Sequence, residues 1–492
     1  MKFFLEQLCD NFETYAGHAA FHIEGSFYTY AELGARVSAV QQLLFGFPDE
    51  QYFGVVTRNR IDTYATIFAL WLTGKTSVPI SPKNPVSRNA GILKEMEIAT
   101  LFDSSHDEVL QFDGIKSIAT SHLKSERNEP VVIDVPLSSD LYVLFTSGST
   151  GQPKGVCISR ANLDAFLKGF FACGYEFTPA DRCIQVYELT FDASVQCYTF
   201  PLLVGATVYT IPDQGVRFLS IMKVLQSYQI TFVKMTPSVI YYLEPYFRQI
   251  SLPHLRYCLF GAEAFPADLV TKWEKCIPNA EIHNVYGPTE ASINCSWYKW
   301  QRGRTNKVMN GIASIGSAFQ NLKLMVIDDK LKPVPAGTKG ELCVAGPQVT
   351  RGYWKRPEID AQAFFEYNHL RFYRTGDLVM EDEDGDLLFI GRIDDQVQID
   401  GHRIEPGEIA WHAIQQTGVK CVAMVTQRGA LKGSIVLFVE DEKVETDKLQ
   451  QSLAKVLPPY MVPGKIIVME QLPLLSSGKT DRVQLEKMME DA

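Results

Sequence analysis

A stretch rich in glycine and hydroxyl side chains follows an apolar run near residue 145. Leu144–Gly155 reads LFTSGSTGQPKG, with three glycines, four hydroxyl side chains and Lys154. Glycines let a backbone approach an anion closely, hydroxyls donate hydrogen bonds, and a lysine adds positive charge. The spacing is not that of a Walker A loop. A polar surface hairpin is the alternative, but the position directly after an apolar run favours a phosphate-binding loop.

Four charged residues elsewhere have chemistry that suits a bound phosphate compound. Carboxylates suit a hard cation, a pair of hydroxyls or an ammonium, and a lysine suits developing negative charge. Taken singly, Glu290 and Asp377 are typical turn residues, and Asp192 is a typical helix N-cap. Lys479 taken alone is typical of a solvated surface charge. Only their combination with other motifs separates these explanations.

Elements that would position these residues alternate through the first half of the chain. The apolar runs predicted as buried strands are Phe53–Thr57, Thr76–Ile80, Leu141–Phe145, Ala206–Ile211 and Thr231–Val233. The amphipathic stretches predicted as helices include Ala31–Leu44, Asn162–Phe171 and Val216–Tyr228. Alternation of this kind favours an α/β multi-domain fold with parallel strands.

The pattern becomes β-rich from about residue 312. The predicted strands there are Leu322–Asp328, Gly340–Ala345 and Asp386–Ile390, and they are separated by Pro/Gly turns. The acidic stretch Glu381–Asp386 is turn-prone. The remaining residues alternate again and predict a small α+β domain, with a boundary near Gly391–Asp395.

Composition and charge exclude several classes of protein. The chain has 492 residues, 46% hydrophobic and 21% charged, which predicts a globular protein of two or more domains. A formal net charge of -10 disfavours general nucleic-acid binding. The ten cysteines show no CxxC pair and no zinc-like cluster. Neither a signal peptide nor a membrane span is recognisable, so a cytoplasmic enzyme without nucleic-acid or membrane partners is expected.

Leu144–Gly155 closely resembles the phosphate loop of the adenylate-forming superfamily. This superfamily includes amino-acid adenylation domains of nonribosomal peptide synthetases, D-alanine:carrier-protein ligases, acyl-CoA synthetases and luciferases. Similar motifs follow in family order at Phe27–Leu33, Leu70–Pro85, His283–Glu290, Gly340–Pro357, Tyr373–Leu378, Gly391–Glu408 and Leu472–Arg482. The resemblance covers nearly the whole chain. It implies a large N-terminal core over residues 1–391, with two α/β subdomains and the β-rich module, and a small mobile α+β domain over residues 392–492.

The resemblance implies that the chain binds ATP. Asn284 and Tyr286 would lie at the adenine, where a ring can stack on the base. Asp377 would accept both ribose hydroxyls, with Arg392 at the other side of the same nucleotide. The predicted ATP-binding residues are Thr146, Ser147, Gly148, Ser149, Thr150, Gly151, Lys154, Gly261, Ala262, Glu263, Asn284, Tyr286, Gly287, Thr289, Asp377, Arg392 and Lys479.

Three of these residues are implied to act in catalysis. Thr289 would lie near the α-phosphate, and Glu290 would bind Mg²⁺, for which a carboxylate is a suitable hard ligand. Lys479 would stabilise the charge that builds while the substrate carboxylate attacks the α-phosphate. Asp394 matches the family hinge, which would let the small domain present Lys479 first and a thioester-forming face later.

Asp192 indicates an amino acid substrate within this superfamily. It aligns with the carboxylate that binds the substrate α-ammonium in amino-acid adenylation domains, and a buried carboxylate requires a charged partner. Acyl-CoA synthetases have no such need, although a helix N-cap remains the alternative explanation. The other substrate-pocket positions carried over are Ala193, Gln196, Lys234, Leu259, Gly261, Val285, Ile293 and Asn294.

Lys234 is the position that bears on the substrate side chain. Adenylation domains that select aspartate or asparagine often have lysine there, and Gln196 and Asn294 would add hydrogen bonds. We therefore expect an Asp- or Asn-like substrate. Alternatively, Lys234 extends to solvent or pairs with a carboxylate of the protein.

A carrier protein is the expected acceptor. No carrier or condensation domain is recognisable, so a stand-alone enzyme is expected, which acylates the phosphopantetheine of a separate carrier in trans. Gln398–Asp400 lacks the basic pair that many adenylation domains have there, which weakens the expectation of the usual carrier contact. A D-alanine:carrier-protein ligase is a close alternative, and Lys234 argues against so small a side chain. An acyl-CoA synthetase and a nucleotide-sensing protein without activity are the more distant alternatives.

Overall fold

The computed structural model describes residues 3–123, 129–148, 153–426, 433–474 and 480–490. The predicted site residues Ser149, Thr150, Gly151 and Lys479 lie outside these ranges. The helices within them are α1 (Phe4–Thr14), α2 (Tyr30–Leu44), α3 (Ile61–Leu72), α4 (Val86–Glu95), α5 (Arg160–Ala172), α6 (Asp192–Leu203), α7 (Arg217–Ser227), α8 (Pro237–Leu243), α9 (Ala267–Trp273), α10 (Pro357–Ala363), α11 (Pro406–Thr417), α12 (Thr446–Leu453) and α13 (Arg482–Glu490).

The strands of the described residues fall into several sheets. The first half of the chain contains β1 (Ala19–Ile23), β2 (Ser26–Thr29), β3 (Tyr52–Val56), β4 (Thr76–Ile80), β5 (Thr100–Asp103), β6 (Lys116–Ala119), β7 (Asp140–Thr146), β8 (Lys154–Ser159), β9 (Arg182–Gln185), β10 (Thr207–Thr210) and β11 (Phe232–Met235). The second half contains β12 (Tyr257–Phe260), β13 (Glu281–Tyr286), β14 (Ser296–Lys299), β15 (Val308–Met309), β16 (Ile312–Ala313), β17 (Ser317–Ala318), β18 (Lys323–Ile327), β19 (Lys339–Ala345), β20 (Phe364–Tyr367), β21 (Leu370–Glu381), β22 (Leu387–Arg392), β23 (Val397–Ile399), β24 (His402–Ile404), β25 (Cys421–Val425), β26 (Ile435–Val439) and β27 (Lys465–Val468).

The chain folds as two compact units. The large unit comprises residues 1–81, 96–144 and 155–393, and the small unit comprises residues 82–95, 145–154 and 394–492. The predicted domain boundary after residue 391 stays a prediction. No helix of the described residues is long and apolar enough to cross a membrane.

The large unit is built on two mainly parallel sheets. One has the strand order β17-β14-β13-β12-β11-β9-β10-β1-β2, in which β1, β10, β9, β11, β12 and β13 run parallel. The other has the order β6-β5-β3-β4-β7-β8, with parallel pairing from β6 through β7. Parallel strands are buried on both faces and read as continuous apolar runs, which is why these strands are recognisable in the sequence. The predicted α/β fold class is confirmed.

Alternate residues of the central strands pack on opposite faces of the first sheet. Phe232 and Leu259 join one apolar cluster, whereas Val233 and Phe260 join another. Because side chains alternate along a strand, Lys234 has the same face as Phe232. The structure corrects one detail: Lys234 lies inside β11, not after the strand as predicted.

The β-rich module and the mixed α/β content of the small unit match the predicted fold class. A five-stranded antiparallel sheet, with β22 and β19 both pairing β21, forms the end of the large unit. The acidic turn at the end of β21 contacts a lysine from another segment: Lys307 Nζ lies 2.6–2.9 Å from the carboxylates of Asp382, Asp384 and Asp386. The small unit contains the sheet β25-β26-β27, which packs with α11, α12 and α13 through apolar clusters.

Candidate active site

Neighbouring parallel strands of the large unit carry many of the predicted site residues at one edge. Lys234 on β11 pairs in register with Leu259 on β12, and Phe260 pairs with Asn284 on β13. The carboxyl ends of parallel strands are the usual place for a ligand in an open α/β sheet. The register therefore explains how residues distant in the sequence reach the same place.

Lys234 is buried among amide groups. The residue is only 2% exposed, and its Nζ donates hydrogen bonds to Gln196 Oε1 at 2.8 Å and to Asn294 Oδ1 at 3.0 Å. Asn294 Nδ2 also donates to Gln196 Oε1 at 2.9 Å. Burial lowers the pKa of Lys234 to about 8. The structure therefore excludes a solvent-extended Lys234, and within the described residues the hydrogen bonds of its ammonium go to amides.

Asp192 opens helix α6 but is not its cap. Phe191 occupies the N-cap position, and the Asp192 carboxyl lies close to the Thr289 side chain and the Ala193 amide. Its second oxygen, Oδ2, is buried and has no hydrogen-bond partner among the described residues. Burial raises the pKa of Asp192, while the nearby Lys234 opposes that rise. An acceptor left in this state suits a positively charged donor from a ligand.

A buried donor lies in the same cluster. Gln196 Nε2 has no hydrogen-bond partner within the part of the chain that the structure describes. The cluster of Asp192, Gln196, Lys234 and Asn294 thus presents one unmet acceptor and at least one unmet donor. The other predicted pocket residues are buried and apolar, or lack a side chain: Ala193, Leu259, Val285, Ile293 and Gly261.

Glu290 lies in a short turn after β13. The turn begins with the 3-10 helix Thr289–Ala291, and Glu290 is fully buried. Tyr353 donates a hydrogen bond to Glu290 Oε1 at 2.7 Å. No role for Tyr353 was predicted from the sequence, although it lies in the motif Gly340–Pro357.

The donor set around Glu290 fits a magnesium ion that is held mainly by a nucleotide. The described residues contain no group of three or more His, Cys, Asp or Glu side chains able to hold a metal. Mg²⁺ usually takes only one or two protein carboxylates and completes its shell with phosphates and waters. The single buried carboxylate of Glu290 is compatible with that preference.

Asp377 is held between an aromatic hydroxyl and a guanidinium. The Tyr286 hydroxyl donates to Asp377 Oδ2, and Arg392 Nη1 donates to Oδ1 at 2.8 Å. Burial, and then the Asp377 charge, raise the pKa of Tyr286. Asn284 lies on β13 with Tyr286, and its Nδ2 donates to the Ser314 carbonyl at 2.9 Å, which fixes the orientation of the amide. The structure thus brings four predicted nucleotide residues together around β13, β21 and β22.

Two further predicted nucleotide residues have structural partners or a special conformation. Glu263 accepts hydrogen bonds from the Ser238 amide at 2.9 Å and hydroxyl at 3.1 Å, at the start of α8. Ala262 adopts a left-handed backbone conformation, with φ of 65°. These features do not by themselves point to a nucleotide, and both roles stay predictions.

The described part of the glycine-rich loop belongs to the small unit. Ser147 Oγ donates to the Arg403 carbonyl at 2.8 Å, and the Gly148 amide donates to a Glu408 carboxylate oxygen at 3.2 Å. Arg88 lies 2.6 Å from the other Glu408 oxygen, and burial raises the pKa of Glu408. Glu408 ends the motif Gly391–Glu408, but no function for it was predicted from the sequence.

The remaining predicted residues of this unit make local contacts. Thr146 Oγ1 lies 3.5 Å from the Lys154 carbonyl, and Asp394 Oδ1 accepts from the Gln396 amide at 3.2 Å. The hinge role of Asp394 stays a prediction. Ser149, Thr150, Gly151 and Lys479 are outside the described residues, so their placement also stays a prediction.

Gly287 permits the close approach on which this site depends. A Cβ atom at Gly287 would lie 2.6 Å from Asn294 Cα and from the Ile293 carbonyl oxygen. Both contacts are with backbone, which cannot move aside like the end of a side chain. We expect Gly287→Ala to lower the free energy of unfolding by about 2 kcal/mol, measured by chemical denaturation.

Gly91 supplies a matched control for that substitution. It lies in α4, and a Cβ atom there meets nothing within 4 Å. Gly91→Ala should leave stability unchanged or raise it slightly, because alanine favours a helix over glycine. Equal unfolding midpoints for the two variants would show that the backbone around Gly287 tolerates a side chain at that position.

Comparisons with known proteins agree with this architecture. A family model described as AMP-binding enzyme matches residues 8–354. Zwittermicin A synthase ZmaJ from Bacillus cereus is 31% identical over 487 residues, which covers 94% of this chain and 90% of ZmaJ. Gramicidin S synthase 1 from Brevibacillus brevis is 30% identical over 471 residues, covering 93% of this chain but only 42% of the synthase. The chain thus spans less than half of that relative.

A solved structure shows the same fold over nearly the whole chain. The Vibrio cholerae adenylation domain AlmE, in complex with glycyl-adenosine-5'-phosphate, superposes with a TM-score of 0.87. The match covers 99% of this chain and 97% of AlmE, at 23% identity. The chain therefore has the fold of that adenylation domain, with a large N-terminal core and a smaller C-terminal domain.

Proposed function

The chain belongs to the AMP-binding enzyme family, and we propose on that basis that it activates an amino acid carboxylate as an aminoacyl-adenylate and then transfers the acyl group to a carrier protein. The observation that carries this proposal is Asp192. Its buried, unpartnered Oδ2 requires a positive donor that the described residues do not provide. The α-ammonium of an amino acid supplies one. AlmE, which has this fold, binds a glycyl adenylate.

The nucleotide is proposed to lie beside Asp377. A fixed carboxylate has two oxygens, which suit it to accept hydrogen bonds from both ribose hydroxyls. Tyr286 and Asn284, held on β13, suit the adenine. The proposed role of the glycine-rich loop is to bind the phosphates through Thr146, Ser147, Gly148 and the loop residues beyond them.

The proposed reaction has two steps. In the first, a substrate carboxylate oxygen forms a bond to the α-phosphorus of ATP, and the bond to the β-phosphate oxygen breaks to release pyrophosphate. Glu290 would hold Mg²⁺, which supplies charge neutralisation to the phosphates. Thr289 and Lys479 would donate hydrogen bonds to the oxygens on which charge accumulates. Since Asp192 fixes the ammonium, the carboxylate is oriented before attack.

In the second step, the phosphopantetheine thiol of the carrier attacks the acyl carbon. The carbon–sulfur bond forms, the bond to AMP breaks, and the thiol proton is lost. We propose that residues 392–492 form the small mobile domain, and that Asp394 is the hinge between the two steps. The carrier is proposed from the family resemblance.

The substrate side chain is proposed to be that of aspartate, asparagine or a close relative. Among the described residues, Lys234 uses two of its three donors on Gln196 and Asn294, which leaves one N–H for a ligand. Gln196 Nε2 adds an unmet donor in the same place. A carboxylate or amide oxygen satisfies both donors, whereas an apolar side chain leaves them buried and unpaired.

The direct test is a substrate panel for pyrophosphate release. The purified chain is incubated with ATP, Mg²⁺ and, separately, each of the twenty common amino acids, D-alanine, several fatty acids and several aryl acids. We expect release above background with aspartate or asparagine. Release only with acids that lack an amine would contradict the amino acid assignment and support an acyl-CoA synthetase.

The same panel separates the nearest alternative. A D-alanine:carrier-protein ligase would respond most strongly to D-alanine, and that result would remove Lys234 from substrate selection. Radiolabelled substrate mixed with candidate holo-carriers, followed by gel analysis, tests the second step. Labelled aminoacyl-adenylate without labelled carrier would support the activation step and contradict the transfer to those carriers.

A further inference from the structure

The turn 289–294 has a strained backbone. Ser292 and Ile293 both adopt left-handed conformations, with φ of 56° and 77°. Such values are unusual outside glycine, and for a β-branched residue such as isoleucine they are genuine outliers. Strain of this kind persists only where surrounding contacts determine the conformation, and it concentrates at functional sites.

One neighbouring segment, residues 348–353, supplies those contacts. Gln348 Nε2 donates to the carbonyls of Ala291 at 3.2 Å and Asn294 at 2.8 Å. In return, Ser292 Oγ donates to the Gln348 carbonyl at 2.6 Å. Gln348 is 1% exposed, so these bonds do not compete with water. A single glutamine therefore spans the two strained residues and holds the carbonyl of Asn294.

The other end of the segment holds Glu290. The Thr350 amide donates to the Glu290 carbonyl at 2.8 Å, and the Tyr353 hydroxyl donates to its carboxylate at 2.7 Å. Tyr353 is 5% exposed and Glu290 is fully buried. The carboxylate therefore has a fixed orientation before any ligand arrives.

The segment also follows directly from the sheet that carries Asp377. It begins three residues after β19, and β19 pairs with β21, in which Asp377 lies. One sheet thus positions the residue beside the ribose and, through residues 348–353, the turn with Glu290 and Asn294. This arrangement connects the metal side and the side-chain side of the site.

We propose that Gln348 and Tyr353 are positioning residues: Tyr353 orients Glu290 for the metal–nucleotide, and Gln348 sets Asn294, and through it Lys234, for the substrate side chain. This inference rests on the proposed function. The two effects are separable, because the Tyr353 hydroxyl bonds to Glu290 at one end of the turn and the Gln348 amide bonds to Asn294 at the other.

Tyr353→Phe tests the metal end. Removing the hydroxyl should raise the Mn²⁺ concentration for half-saturation by about tenfold, as is typical for residues that orient a metal ligand. The measurement is Mn²⁺ binding by electron paramagnetic resonance in the presence of α,β-methylene-ATP, which needs no turnover. The ranking of amino acids in the substrate panel should not change.

Gln348→Leu tests the side-chain end. We expect the KM for the preferred amino acid to rise by about tenfold, because a misplaced contact weakens recognition, with Mn²⁺ binding unchanged. Titration calorimetry with the sulfamoyl analogue of the aminoacyl-adenylate supplies a readout independent of turnover, and should show a matching loss of affinity.

Each substitution has a matched control elsewhere in the large unit. Tyr298→Phe removes a buried hydroxyl bonded to Asn306, and Gln41→Leu removes a buried amide bonded to Val131. If Tyr353→Phe and Gln348→Leu change only thermal stability, as these controls should, the positioning proposal is overturned. If the wild-type chain releases no pyrophosphate with any amino acid, the proposed function fails, while Mn²⁺–nucleotide binding by Tyr353→Phe still tests the metal end.

Discussion

Replacing Asp192 with asparagine should lower amino-acid-dependent pyrophosphate exchange by at least about a hundredfold, because truncating one partner of a buried charge pair costs several kcal/mol. The wild-type carboxylate has a buried oxygen without a partner among the described residues, ready for an ammonium. The asparagine amide is neutral, and one of its two ends is a donor that would face the ammonium. The loss should appear in KM for the amino acid and in kcat, since the same contact also orients the reacting carboxylate.

Affinity for the nucleotide should be retained in Asp192→Asn. Binding of α,β-methylene-ATP, measured by calorimetry, should stay within about twofold of the wild type, because Asp192 is proposed to contact the amino acid and not ATP. Asp181→Asn is the matched control: Asp181 is a buried carboxylate that pairs with Arg256 at 2.9 Å. That variant should lose stability but keep its amino acid preference. An active Asp192→Asn enzyme with an unchanged KM for the amino acid would contradict the proposal that Asp192 binds the substrate ammonium.

Lys234→Met should change which amino acid is activated. We expect kcat/KM for the aspartate-like substrate to fall by about a hundredfold, because a buried side-chain carboxylate would lose its positive partner in the cluster. Apolar amino acids of similar size should gain, since methionine has no donor that an apolar substrate would leave unpaired. The measurement is the full substrate panel, in which a ranking that is the same as in the wild type would contradict the pocket assignment.

The pH dependence supplies a second test of Lys234. Its pKa is lowered to about 8 by burial, so the free pocket carries the positive charge below that pH and loses it above. A substrate carboxylate binds the charged form, so the KM for aspartate should rise as pH increases through about 8. The same substrate favours the protonated form, so binding above that pH should be accompanied by proton uptake, measurable by calorimetry in two buffers.

Lys75→Met is the control for the lysine substitution. Lys75 Nζ donates to the backbone carbonyls of Phe47, Pro48 and Glu50, and burial lowers its pKa as well. This variant removes a partly buried lysine without changing the Asp192 cluster. Its KM for aspartate should keep the wild-type pH profile. If Lys75→Met and Lys234→Met both lost the wild-type pH dependence of KM, the pH effect would reflect general instability and not the charge of Lys234.

The framework of the fold was predictable because its strands are buried on both faces. Apolar runs such as Thr76–Ile80 needed no tertiary information, and that strand has the predicted bounds. The end of β11 was less predictable. Lys234 is a charged residue that follows the predicted strand Thr231–Val233. Its hydrogen bonds to Gln196 and Asn294 explain why the strand continues through it.

Contacts between distant residues account for what the sequence did not reveal. Gln348 and Tyr353 lie in a motif that is recognisable as a whole, but their bonds to the 289–294 turn depend on tertiary packing across more than fifty residues. Glu408 likewise has partners at Arg88 and Gly148 that no local pattern connects. Local propensity reports only on neighbours in the chain, whereas the partners described above lie far from these side chains in the sequence.

The mutual hydrogen bonding of Lys234, Gln196 and Asn294 has a consequence for how this enzyme could diverge. Each side chain takes part in two of the three hydrogen bonds, so a single replacement removes two of them from a buried site. Intermediates on the way to a new preference would therefore be less fit than either endpoint, and substitutions at the three positions would show strong epistasis. Laboratory evolution should reach a new substrate more readily from libraries that randomise all three positions together than by stepwise selection.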